Sequence, residues 1–265
     1  MCPPDYFRVQ YVINPWMENK IGTIDPHIAK IQWTDLYQSL KKFTSVELIA
    51  QESNAPDMVF TANAGLLLDN KIVLSRFKFA ERRSEECYFG SWFEKQGYEV
   101  VKMPESVHFE GTGDALLQPG KNLLWASYGF RSDLESHNFL ASGFDIEIIS
   151  LHLINPSFYH LDTCFCPLLN DKIMYFPGAF DSQSLKRIED KTPPENRIAL
   201  SLEDAQQFAC NAVLVGSHLF MNQASDTLKK KLEAWGYQIH IHPVSEFMKA
   251  GGANKCLTLE LRNHS

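Results

Sequence analysis

Asn63, Glu110, His160, Cys210 and Cys256 stand 47, 50, 50 and 46 residues apart. Each opens or shortly precedes an apolar run, with Asp57, Asp114, Asp162 and Asn211 close by in "PDMVFTANAG", "FEGTGDAL", "HLDTCF" and "FACNAV". If the fold repeats with that period, these side chains converge. A thiol, an imidazole, carboxylates and an amide are what a cysteine nucleophile needs to work on a cationic substrate: the thiolate attacks, the imidazole moves protons, and the carboxylates hold the positive charge. Taken singly, each residue has a plainer reading. Cysteine is often buried as a small hydrophobe, Asn63 and Asp114 suit strand ends where side chains bond the backbone, and His160 suits a hydrogen-bonded core position. Glu110, between Phe109 and Gly111, is harder to set aside, because a carboxylate buried in apolar surroundings requires a partner.

The elements around these residues repeat as well. "AGLLLDNKIVLSRF", "DALLQPGKNLLWASYGF", "CPLLNDKIMYFPGAF" and "NAVLVGSHLFMNQ" each place turn-forming residues between two runs of Leu, Ile, Val and Phe, which predicts four β-hairpins. "CLTLEL" from Cys256 supplies a shorter fifth partner. Helical patterns fall at 27–42, 80–96, 132–142, 201–209 and 225–236, with Ser201 and Ser225 as capping hydroxyls and Gly97, Gly143 and Gly236 as stops. Extended stretches follow at 46, 98, 145 and 237. The unit is hairpin, helix, strand, about five times over. Such units cannot bury their sheets alone, so a closed ring with a central axis is expected, built as one domain over residues 1–265.

Composition narrows the function. With 265 residues, 45% of them hydrophobic, the chain can bury a large core, and a net charge of −7 argues against a sequence-independent nucleic-acid binder. The N-terminal "MCPPDYFRVQYVINPW" lacks the charged and apolar regions of a signal peptide, and no apolar run is long enough to span a bilayer. A cytoplasmic protein with reduced thiols, a small-molecule substrate, no nucleic-acid or membrane partner and room for a homo-oligomer is expected. The six cysteines have no zinc-site spacing; Cys164 and Cys166 read as core residues, and Cys2, Cys87 and Cys210 as structural. Neither a metal nor another cofactor is called for.

"INPWM", "PDMVFTANAGL", "FEGTGD", "HLDT" and "GGANKCLTLEL", in this order, resemble the guanidino-group-modifying enzymes: arginine deiminase, dimethylarginine dimethylaminohydrolase, the amidinotransferases and, most closely, arginine dihydrolase. The resemblance covers essentially the whole chain. It implies the five-bladed α/β propeller, or pentein fold, in agreement with the repeat. It also implies roles. Cys256 attacks the guanidinium carbon, His160 protonates the departing ammonia and then activates water, and Glu110 and Asp162 hold the guanidinium. Arg131 takes the substrate carboxylate and Asn14 the amino-acid end, with Asp114 and Ala253 among the substrate contacts. Gly251 and Gly252 let the backbone approach the substrate. Asn63 departs from the Asp that deiminases and dimethylarginine hydrolases carry at the corresponding place. A neutral amide can bond the ureido group of citrulline and retain it for a second attack, the pattern of arginine dihydrolases, which yield ornithine, two ammonia and carbon dioxide. The resemblance leaves open a hydrolase of arginine or methylarginine that stops at citrulline, and an inactive arginine sensor. Some longer relatives carry a further ornithine-processing domain; nine residues follow Cys256, so none is expected here.

Overall fold

The computed structural model describes residues 1–261. Four hairpin–helix–strand units follow one another. β1 (Gly65–Leu68) and β2 (Lys71–Leu74) form an antiparallel hairpin, α2 (Ser84–Lys95) crosses over, and β3 (Glu99–Lys102) returns parallel to β2. The second unit repeats this with β4 (Ala115–Leu117), β5 (Leu123–Tyr128), α3 (Leu134–Gly143) and β6 (Glu147–His152). The third uses β7 (Phe165–Pro167), β8 (Ile173–Tyr175), α4 (Ser182–Lys191) and β9 (Arg197–Ala199). After the short α5 (Leu202–Gln206), the fourth uses β10 (Val213–Val215), β11 (His218–Met221), α6 (Asp226–Ala234) and β12 (Gln238–Ile241). Each sheet has three strands in sequence order.

The fifth unit differs from expectation. Neither the 46–50 stretch nor "CLTLEL" pairs into a ladder. Instead both chain ends supply the unit: α1 (Pro26–Leu40) packs on α7 (Ser245–Met248), and residues 254–257 form turns. Phe7, Trp33, Leu36, Phe60, Phe247 and Leu257 join in one buried cluster there. The α4–β9 pair lies where no helix was expected, because its sequence "SQSLKRIEDK" is mostly polar and only Ser184 and Ile188 are buried. The other predicted helices fall within a few residues of their expected places.

Short 3-10 turns lead into the inner strands and set the axis: Thr61–Ala64 before β1, Gly111–Gly113 before β4 and Leu161–Thr163 before β7. These turns carry most of the predicted site. Below them the inner strands enclose a cavity of about 780 Å³, lined by Leu66, Ala115, Phe165, Val213 and the side chain of Lys255, among others, and opening past exposed Glu47, Gly120 and Gly216. His160, Cys256, Arg131 and Asn63 line a separate cavity.

Candidate active site

The strands correct the repeat phase. β1, β4, β7 and β10 begin at Gly65, Ala115, Phe165 and Val213, so Phe60, Glu110, His160 and Phe208 share one phase, and Asn63, Gly113, Thr163 and Asn211 another. Asn63 and Cys210 therefore do not match Glu110 and His160. Cys210 turns its thiol to the Met174 carbonyl at 3.5 Å, within the core. Asn211, its neighbour, reaches the site.

Two rings of residues thus meet at the axis. Glu110 is fully buried, and its Oε2 accepts from His160 Nε2 at 2.8 Å and from Arg131 Nη1 at 3.2 Å. Burial alone would push this carboxyl up; Arg131, the His160 hydrogen bond and Arg82 outweigh it and hold Glu110 well below the usual carboxylate range. Arg131 lies between the rings of Phe79 and Tyr159, 4.7 and 4.5 Å from their centroids, and its Nη2 donates to the Ile13 carbonyl.

Cys256 faces this group from the last turn. Its Sγ donates to Asp162 Oδ2 at 3.2 Å and accepts from Asn211 Nδ2 at 3.0 Å. Burial, with the Asp162 carboxylate second, pushes the thiol up. Burial likewise lifts Asp162 to about 6, against the pull of His160, the Cys256 hydrogen bond and Lys255. Its other oxygen, Oδ1, is buried without a partner among the described residues, which is costly unless a ligand donates to it.

A cavity of about 10 Å³ lies above the thiol, lined by Asn14, Asp57, Asn63, Arg82, Arg131 and His160, with Tyr159, Ala250, Gly252 and Cys256 among the rest. Glu110 and Asp162 lie behind this lining. Asn63 is tied at both ends, its Oδ1 accepting from Arg82 Nη1 at 2.9 Å and its Nδ2 donating to the Glu110 carbonyl at 3.1 Å. Asn14 builds the mouth: its Oδ1 caps the turn at Trp16 and Met17 while its Nδ2 donates to the Ala250 carbonyl.

Besides Glu110 and Asp162, two further expected contacts lie outside the lining. Asp114 spends both oxygens on Ser127, Ser132 and the Leu161 amide, so it braces the His160 turn. Ala253 is buried in the core cluster, and Ala250 takes the wall position instead, because the turn at 250–252 carries the chain past the mouth before Ala253. Gly251 and Gly252 make room for protein rather than open space. A Cβ on Gly251 would stand 2.7 Å from the Tyr159 hydroxyl, and one on Gly252 would stand 2.5 Å from the Phe60 ring.

Arg82 and Glu85, which were not foreseen, and Asp57, named in the repeat without a role, complete the site. Arg82 bonds Glu85 through two nitrogens at 2.9 and 2.7 Å, both groups nearly fully buried. Asp57 accepts from the Tyr11 hydroxyl at 2.9 Å, and its free Oδ1 has no partner among the described residues. "AERRSEE" reads as a solvated helix start, so Arg82 escaped notice; the Arg–x–x–Glu spacing was its signal. Asn211 is already among the residues expected to converge, and its place two residues before β10 is the phase it shares with Asn63.

A family model described as N,N dimethylarginine dimethylhydrolase, eukaryotic, matches residues 12–263. The chain belongs to the dimethylarginine dimethylaminohydrolase family. Within that frame it is 38% identical to the N(G),N(G)-dimethylarginine dimethylaminohydrolase of Mycobacterium tuberculosis, over 98% of this chain and 84% of that protein. It is 54% identical to the bifunctional arginine dihydrolase/ornithine cyclodeaminase AgrE of Nostoc sp. (strain PCC 7120), over 98% of this chain but only 37% of AgrE. This chain therefore spans little more than a third of that relative. The N-terminal domain of ArgZ, an arginine dihydrolase from the ornithine–ammonia cycle in cyanobacteria, has been solved as a Cys-to-Ser variant bound to substrate. It matches with a TM-score of 0.97 at 50% identity, covering 98% of this chain and 96% of that one. The α/β propeller-like arrangement of this chain, with four sheets among the described residues, matches the fold of the ArgZ domain.

Proposed function

We propose that the chain is an arginine dihydrolase, converting arginine and two waters to ornithine, two ammonia and carbon dioxide through a covalent intermediate on Cys256. One observation carries the reading: Cys256 Sγ lies 3.2 Å from Asp162, whose second oxygen is buried and unpartnered, beside a Glu110–His160 pair. Buried carboxyls support a cationic ligand. Among the described residues Asp57, Glu85, Glu110, Asp114 and Asp162 are buried with Arg82 and Arg131, and burial pushes all of these carboxyls up except Glu110, so a bound cation would favour their ionised forms. Arg131 on Glu110 demonstrates that a guanidinium fits against that carboxylate, and the substrate would replace it there while Arg131 turns to the substrate carboxylate.

With the guanidinium held flat by Glu110 and Asp162, the bound cation offsets the burial that disfavours the thiolate. The thiolate forms a bond to the central carbon, and the C–N pair leaves with a proton from His160 as ammonia. His160 next takes a proton from water, whose oxygen attacks the same carbon and frees the sulfur. Citrulline so formed stays for a second round because Asn63, neutral and anchored by Arg82, lets the wall accept a ureido group where a carboxylate would prefer a cation.

Counting products tests this. Two ammonia and one ornithine per arginine are expected; one ammonia with citrulline accumulating overturns the second step. The family and the mycobacterial relative favour a second reading, release of dimethylamine from dimethylarginine, which the same assay with that substrate separates. Turnover retained by Cys256→Ser would remove the nucleophile from the scheme. We also take residues 1–265 as one catalytic domain in a reducing, cytoplasmic setting, supported by six free thiols and by the lack, among the described residues, of any helix long and apolar enough to cross a membrane.

A further inference from the structure

We propose that Asn211 is a catalytic residue that aims the Cys256 sulfur and stabilises it as a thiolate. The inference rests on Cys256 being the nucleophile. Asn211 is fully buried and makes three bonds to the site: Oδ1 accepts from the Cys256 amide at 3.1 Å, Nδ2 donates to the Asp162 carbonyl at 3.1 Å, and Nδ2 donates to Cys256 Sγ at 3.0 Å. This pattern leaves no choice in the orientation of the carboxamide. The Cys256 amide is only a donor and the Asp162 carbonyl only an acceptor, so an N–H faces the sulfur. Its backbone carbonyl accepts from the Lys255 amide at 3.1 Å, so the whole residue is fixed to the turn that carries the nucleophile.

The chemistry follows from what the sulfur has around it. One neighbour, Asp162 Oδ2, can only accept from the thiol, and a carboxylate there disfavours a negative sulfur. Asn211 is the neutral donor on the other side. When the sulfur lone pair forms the S–C bond, the N–H bond to sulfur weakens; when that bond breaks and its electron pair returns to sulfur, the N–H meets a full thiolate again. A reaction with two rounds of attack calls on this donor twice. A preorganised N–H aimed at developing charge is worth about 10²–10³-fold in kcat in oxyanion holes, and here the charge develops on sulfur as each S–C bond breaks.

The test compares wild type with Asn211→Ala, Asn211→Asp and Asn211→Ser. Loss of the donor in Asn211→Ala and Asn211→Asp is expected to lower kcat about 100-fold with KM changed by no more than about threefold. The iodoacetamide reactivity and thiolate absorbance of Cys256, read against a Cys256→Ser control, should shift to higher pH, furthest in Asn211→Asp, where a carboxylate replaces the amide. Asn211→Ser, which keeps a donor hydroxyl, should recover part of both and guards against a variant that fails to fold, as judged by thermal melting. A folded Asn211→Ala or Asn211→Asp enzyme with unchanged kcat and unchanged thiol titration overturns the proposal, as does a loss confined to KM. If Cys256→Ser itself turns over arginine, the nucleophile is wrong; if it is dead while the Asn211 variants are fully active, only the role of Asn211 is wrong.

Discussion

At the scale of single residues, the site stores its readiness as uncomfortable protonation states. Burial lifts the Asp162 carboxyl to about 6, so it ionises only above that pH, and with the Asp162 charge it pushes the Cys256 thiol up, so the thiolate waits for a cation to favour it. The sign for catalysis follows. Asp162 is ionised above about 6 and protonated below it, and only the ionised form holds a guanidinium. We expect kcat/KM for arginine, which reports the free enzyme, to fall as the pH drops through about 6, while the acid limb of kcat, which reports the complex, lies lower because the bound cation favours the carboxylate. A kcat/KM flat from neutral pH down to about 5 contradicts this. The residues proposed to act on the substrate stand out in the sequence because their chemistry is conspicuous among apolar neighbours. The residues that hold them stand out less. Arg82 looks like one more charge at a helix start until the fold buries it against Glu85, and Asn211, placed near the axis by the repeat, shows its role only when Cys256, forty-five positions away, closes on it.

At the scale of elements, the short turns before the inner strands do the positioning, and their tightness is measurable. Gly113 sits where the second such turn passes the first and third: a Cβ there would stand 2.3 Å from Asn63 Nδ2 and 3.3 Å from the His160 ring. Gly113→Ala is expected to cost about 1–3 kcal/mol in stability by overpacking and to lower kcat by displacing Asn63 and His160. Denaturant unfolding and steady-state kinetics check the two halves, and a variant with wild-type kcat would show that the turns have slack. The same turns explain a limit of sequence reading. Alternation and turn residues place the hairpins well, yet a 3-10 turn of three or four residues has no periodicity of its own, so the offset between Asn63 and Glu110 became visible only from the strand starts. The missed α4 has a similar cause, since its buried face is only Ser184 and Ile188.

At the scale of the whole molecule, the units divide labour between flanks and axis. Apolar clusters fill the spaces between neighbouring units, whereas the axis is polar at one end and hollow at the other. The sequence revealed the period and so the repeated units, but not the form of the fifth, which is assembled from both chain ends and, among the described residues, lacks the hairpin that marks the other four. The cluster of Phe7, Trp33 and Phe247 depends on packing between segments more than two hundred residues apart, for which no local signal exists.

The unpartnered oxygen of Asp162, set behind a pocket where Arg131 already rests on Glu110, makes guanidinium chloride two reagents for this protein. Besides unfolding the chain, the guanidinium ion is the smallest piece of the proposed substrate that the carboxylates can hold. Activity is therefore expected to disappear at guanidinium concentrations where the native circular dichroism is intact, and to return on dilution. In urea, which is neutral, loss of activity and loss of structure should coincide much more closely. Coincident curves in both denaturants would mean that the axis does not select for that ion at all.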